Sequence, residues 1–174
     1  MNDPRYPIGQ IQLPVALTPA TRAAAIATIA AVPDRLHEAV RGLDQDQLDT
    51  PYRAGGWTLR QVVHHIADSH VNAYVRHKLT ITEPTPPPIK AYDENAWAQL
   101  VDSNGAIGSS LLLVQALHER WATCLRSLPA ATFARTCVHS DRGVMTLDDL
   151  VALYAWHGSH HVAHITSLRS TKRW

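Results

Sequence analysis

The run Glu83-Pro-Thr-Pro-Pro-Pro88 constrains this chain more than any other segment. Proline has no amide hydrogen to donate, and its ring clashes with the preceding helical turn. Three consecutive prolines therefore cannot lie inside a helix, and residues 84–92 read as a rigid crossover connection. The segments on both sides have helical periodicity. The chain must join two long helices through a long link and not a tight turn.

Four such helices can be read. Thr18-Pro19 opens the first, with a hydroxyl at the N-cap and proline at the first helical position. Ile26, Ile29, Leu36, Val40 and Leu43 follow at helical spacing; Pro33 is expected to kink or split the helix, and Gly42 to stop it. After the loop Thr50-Pro-Tyr-Arg-Ala-Gly-Gly56, the capping box Thr58-Leu-Arg-Gln61 opens a second helix running to about Thr82. Tyr92–Trp97 suggests a short helix. In the third long helix Ile107, Leu111, Val114, His118, Trp121, Leu125 and Leu128 alternate at spacings of four and three, a packed stripe that Pro129 ends. Thr146-Leu-Asp-Asp149 starts the fourth, which extends to about Ser170. Only Thr136–His139 is weakly strand-like. An all-α four-helix bundle with its long connection between the second and third helices is the expected architecture.

The chain has 174 residues, enough for one domain with its own core, and residues 19–170 are expected to form it behind an extended arm at 1–18, punctuated by Pro4, Pro7 and Pro14. A net charge of +1 and a single Phe133 argue against nucleic acid as partner. No apolar run approaches the length of a membrane span, and the first residues lack the apolar stretch of a secretory signal. Cys124 and Cys137 are too few and too widely spaced for a disulfide scaffold or a thiolate metal site. A cytoplasmic protein that engages neither nucleic acid nor membrane is expected.

The anomaly is histidine. Eleven are present, and His157, His160, His161 and His164 fall within one short stretch of the fourth helix. On a helical wheel Leu150, Tyr154, His157, His161, His164 and Leu168 share a stripe, with His160 at its edge. His157 and His161 stand at i and i+4, so both imidazoles leave the same face one turn apart and can reach one metal ion. His164 lies too far along the axis to converge comfortably with them, so a third ligand should come from another helix. On the second helix His64 points away from the apolar stripe, His65 flanks it and His70 lies within it. Periodicity discards His64 and leaves His65 and His70 open. Taken singly, His70 and His118 read as core histidines hydrogen-bonded to a neighbour. Four clustered imidazoles are harder to bury without a cation to organise them.

The stretches Tyr6-Pro-Ile-Gly9, Thr50-Pro-Tyr-Arg-Ala-Gly-Gly-Trp-Thr…His-His-Ile-Ala-Asp-Ser-His70, Tyr92-Asp-Glu-Asn-Ala-Trp97, Leu117-His-Glu-Arg-Trp121 and Trp156-His-Gly-Ser-His-His-Val-Ala-His-Ile165 resemble the YfiT-like branch of the DinB superfamily. The resemblance implies a four-helix bundle, a homodimer, and one divalent ion, zinc first and nickel second, on three histidines. By the family's spacing from the Gly-Gly-Trp tryptophan, the ligand of the second helix is His65; the other two are His157 and His161.

Three neutral histidines leave a coordination position open, as in catalytic sites, whereas structural zinc usually has four protein ligands. Such an ion can activate a bound water for hydrolysis. It can equally hold a low-molecular-weight thiol as thiolate, and relatives of the family resemble bacillithiol- or mycothiol-type S-transferases. The reading is a mononuclear metal-dependent hydrolase acting on a small molecule. A thiol S-transferase is the alternative, and a non-enzymatic metal-responsive module a third. Cys124 reads as a small core residue and not a nucleophile. Asp68 is a candidate to orient a metal-bound group or to partner a ligand imidazole, and Arg53 a candidate clamp for a substrate carboxylate.

Overall fold

The computed structural model describes residues 3–13 and 16–174. Four long helices dominate it: α1 (Pro19–Val40), α3 (Leu59–Thr82), α5 (Gly108–Arg126) and α6 (Leu147–Lys172). Two short ones, α2 (Gln45–Leu48) and α4 (Glu94–Ala98), lie in the connections. Thr18, Thr58 and Thr146 each cap their helix in a reciprocal box with the residue three positions on. No helix among the described residues is long and apolar enough to cross a membrane.

Local chemistry explains the departures from expectation. Pro33 does not split α1, which runs unbroken through it. The carbonyl that the missing proline N–H would have bonded, that of Ile29, accepts from His118 instead. Asp44 caps the one-turn α2, which the sequence pattern was too short to reveal. The weakly strand-like Thr136–His139 is the central strand, β2, of a small sheet between β1 (Pro88–Ile89) and β3 (Gly143–Thr146). β1 pairs with it in parallel, Ile89 beside His139, and β3 in antiparallel, Met145 beside Cys137. The sheet thus clips the proline-rich crossover onto the bundle, with Ile89, Cys137 and Met145 turned into the core. At the other end, residues 3–9 form successive turns (Tyr6 N–H to the Asp3 carbonyl, Gly9 N–H to that of Tyr6) where an extended arm was expected. Pro14 lies outside the described residues.

The apolar core is divided. One cluster holds Ile26, Ile29, Ala73, Trp121, Leu125, Leu150, Val151 and Tyr154 with the sheet residues. The other holds Val32, Leu36, Leu59, Val62, Ile66, Val114, Val162 and Ile165. Buried side chains of this size contribute about 1.5–3 kcal/mol each. The break falls between Ala67 and Ala73 on α3, between Val114 and Trp121 on α5, and between Ala155 and Val162 on α6. His70, His118 and His157 occupy those gaps, so a layer of histidines crosses the bundle between its two hydrophobic halves.

Candidate metal centre

His65 of α3 and His157 and His161 of α6 bring one ring nitrogen each to within 4.8 Å of one another. His65 Nε2 and His157 Nε2 are 3.3 Å apart. An ion holding nitrogen ligands at about 2.0 Å in a tetrahedron would space its donors by about 3.3 Å. At this distance one tautomer bridges the two nitrogens by a hydrogen bond, and a cation bridges them when both present lone pairs. The donor set therefore fits a divalent ion. Among the described residues no cysteine or carboxylate joins the group, so the protein supplies three ligands and leaves the remainder of the coordination sphere to solvent or substrate.

Packing fixes the three rings. Trp57 lies against His65 with ring centroids 4.6 Å apart, and the His65 and His161 rings meet edge-on at 4.6 Å. His161 Nδ1 is 3.4 Å from His164 Nδ1, and His164 Nε2 donates to the Arg5 carbonyl at 3.3 Å, which ties the N-terminal turns over the cluster. Burial, reinforced by repulsion among the imidazoles, holds the His157 and His161 pKa values far below the ordinary histidine range and brings His65 to about 4. Neutral imidazoles are the form a metal requires.

Two cavities meet at His157. One, of about 340 Å³, is lined by His157, His160, His161 and His164 together with Arg5, Arg53 and Trp57. The other, about 410 Å³, runs along Ser69, Arg76, Tyr154 and His139. Glu94 and Arg142 line both. Arg76 is buried; its guanidinium donates to Tyr154 Oη at 2.9 Å and to the Lys90 carbonyl at 3.0 Å. Among the described residues it has no carboxylate within ion-pair distance. Glu94 is exposed as a residue, yet desolvation of its carboxyl raises its pKa against the opposing pull of Arg76 and Arg142.

The remaining candidates divide. Arg53 is brought to the cavity, half-buried, donating to Tyr52 Oη and the Ala54 carbonyl. A Cβ on Gly56 would stand 2.7 Å from Arg53 Cγ, which is why a glycine follows this turn. Among the described residues Asp68 makes no hydrogen bond to a ligand imidazole. It stands four residues after His64 and so shares that histidine's face, where Asp102 is its charged neighbour. His64 indeed turns away from the cluster but is buried, bonded to Ser110 Oγ at 2.7 Å and to the Gly105 carbonyl at 3.1 Å. Cys124 is a half-buried free thiol and Cys137 a buried one. The partner that periodicity did not identify for His157 is His70, whose Nε2 is 3.0 Å from His157 Nδ1. Its position inside the apolar stripe was the available signal. Arg76 and Glu94 were missed because each has an ordinary surface-helix context in the sequence.

Comparison with known proteins identifies the family. Residues 28–165 match the model of the DinB superfamily, and the chain belongs to it. A Bacillus cereus protein named "Putative metal-dependent hydrolase" is 49% identical over the full length of both chains, and a Bacillus anthracis protein of the same name matches equally. The structure of YfiT from Bacillus subtilis, described as a probable metal-dependent hydrolase with an unusual four-helix bundle topology, superimposes with a TM-score of 0.94 at 46% identity over 98% of each chain. The chain shares that four-helix-bundle topology.

Proposed function

We propose that this chain is a mononuclear metal-dependent hydrolase whose ion is held by His65, His157 and His161. The observation that carries the reading is a three-histidine donor set, with no fourth protein ligand among the described residues, where two cavities meet. Zinc is the first expectation, being suited to imidazole donors at this spacing; nickel is the second. A divalent ion there would polarise a substrate oxygen and acidify water at its open position. The protein's own residues supply the rest. Glu94, the one carboxylate that lines the histidine cavity among the described residues, is the candidate general base. Arg76, a buried cation without a counter-ion among the described residues, favours an anionic group in the adjoining cavity, and Arg53 offers a second anchor at the other mouth. The substrate class is accordingly a small ester or amide carrying a carboxylate. A cytoplasmic homodimer, implied by the family resemblance, belongs to the same reading and is testable by sedimentation equilibrium.

The test is a panel of anionic and neutral esters and amides, assayed with zinc- and nickel-loaded protein, with and without low-molecular-weight thiols. Metal-dependent hydrolysis without thiol, favouring the anionic members, supports the proposal. Turnover only with thiol would replace it with S-transfer. Metal binding without turnover in either arm would favour a metal-responsive module.

A further inference from the structure

The histidine layer behind His157 has a direction. Pro33 on α1 cannot donate to the Ile29 carbonyl four residues back. His118 Nδ1, from α5, lies 2.6 Å from that oxygen. A carbonyl can only accept, so His118 Nδ1 carries a proton. His118 Nε2 is 2.8 Å from His70 Nδ1 on α3, and His70 Nε2 is 3.0 Å from His157 Nδ1 on α6. His70 and His118 are 0% and 1% exposed and have no carboxylate partner among the described residues, so each stays neutral with a single ring proton. Given a proton on His118 Nδ1, its Nε2 must accept from His70 Nδ1–H. His70 Nε2 must then accept from His157 Nδ1–H. The lone pair of His157 is left on Nε2, the atom 3.3 Å from His65 Nε2.

We propose that Pro33, His118 and His70 form a positioning chain that fixes the tautomer and ring plane of His157, so that its Nε2 is presented to the ion. Both ends demand the same polarity: the carbonyl needs a donor, and the ion needs a lone pair. The chain ends on an oxygen that carries no proton, so it orients and does not conduct. All four long helices contribute, through Ile29 and Pro33, His70, His118 and His157. Gly158 makes the approach possible, since a Cβ there would stand 2.5 Å from Val32 Cγ2 and 3.2 Å from His70 Cε1. Metal-bound histidines commonly gain orientation from a carboxylate or backbone carbonyl on the far ring nitrogen; here two intervening imidazoles transmit that role from a carbonyl released by a helix-interior proline.

The inference rests on His157 being a ligand, and the two readings fail separately. Long-range proton–nitrogen correlation spectra of the ¹⁵N-histidine-labelled, zinc-loaded full chain should show His70, His118 and His157 all as Nδ1–H tautomers. Finding Nε2–H at His70 or His118 overturns the chain whatever holds the ion. His118→Phe should weaken zinc binding by about 10- to 100-fold in a chelator-competition titration; unchanged affinity overturns the proposal. Pro33→Ala offers a variant free of the folding question, because it restores the N–H that competes for Ile29. It should hold or raise the melting temperature while weakening zinc binding and shifting the His118 Nδ1–H resonance. An unmoved resonance and unchanged affinity would reduce Pro33 to a structural residue and overturn its place in the chain. Full zinc affinity in His157→Ala would instead overturn the ligand reading.

Discussion

His65 and His70 lie five residues apart on α3 and address the same imidazole from opposite sides. His65 faces His157 Nε2, and His70 faces His157 Nδ1. The His65 side opens on a cavity lined by Trp57 and Arg53, and the group there converges three ring nitrogens on one point. The His70 side is closed: Trp121, Tyr154 and His118 surround the ring, and each nitrogen has a single partner among the described residues. Histidine is thus used in two ways within one helix. Where lone pairs converge the site invites a cation; where donor meets acceptor in sequence the same residue type behaves as a polar core element.

The largest break in this comparison comes from removing the converging side. A His157→Ala/His161→Ala double variant should retain no divalent ion by elemental analysis of protein purified from metal-supplemented culture. Its circular dichroism should remain that of a helical bundle, because both apolar clusters form without the site. Full occupancy in that variant would remove the metal assignment.

Acid tests both sides together. Burial lowers His65, His77, His118 and His160 to about 4, from an unfolded value near 6.5. Between those values the unfolded chain binds more protons than the folded one, so stability falls as pH falls. It is fully present above pH about 6.5, declines through that window and is lowest below the folded values. Thermal melts from pH 7.5 down to 4.5 should show a progressive drop in Tm, with metal released within the same interval. A flat Tm across this range would mean that the histidine layer is not the titrating element.

Gly158→Ala should act on the closed side alone, and more mildly. The added methyl must displace Val32 and press on His70, and overpacking of this kind typically costs about 1–3 kcal/mol. Zinc affinity should weaken through the misplaced His157 ring while the three ligands remain. A titration matching the unaltered chain would show that α1 and α6 part without disturbing the positioning chain.

Much of this was legible in sequence, and what was not has physical reasons. The threonine caps, the proline crossover and the stripe from Ile107 to Leu128 depend on local rules, and α3, α5 and α6 begin or end within a few residues of where those rules put them. The i,i+4 pair His157 and His161 follows from helix geometry alone. The choice of His65 over His70 did not, since both angles border the core and only the rotation of α3 against α6 separates them. Local rules give the cost of Pro33 within its own helix only, and that helix runs through it unsplit. The remedy for the freed Ile29 carbonyl sits 89 residues away in His118, and no local pattern carries that distance. Asp68 shows the converse: it follows His65 by three residues in sequence, yet shares a face with His64.

That last distinction supplies the smallest expected effect on the metal centre. His64 neighbours His65 in the chain and is as buried, yet its ring points to the far side of α3, bonded to Ser110 and to the carbonyl of Gly105. His64→Ala removes both bonds and leaves the buried Ser110 hydroxyl short of a partner, at a cost of about 1–3 kcal/mol. The loss should appear as a lower urea midpoint with an unchanged slope, since the bundle buries the same surface. Zinc affinity should stay within about twofold, because His64 and the ligands share no hydrogen-bond partner among the described residues. A tenfold loss of zinc in this variant would show that the face of α3 packed on the start of α5 is coupled to the ligands. The separation between the two faces of that helix, on which the reading of His65 and His70 depends, would then have to be abandoned.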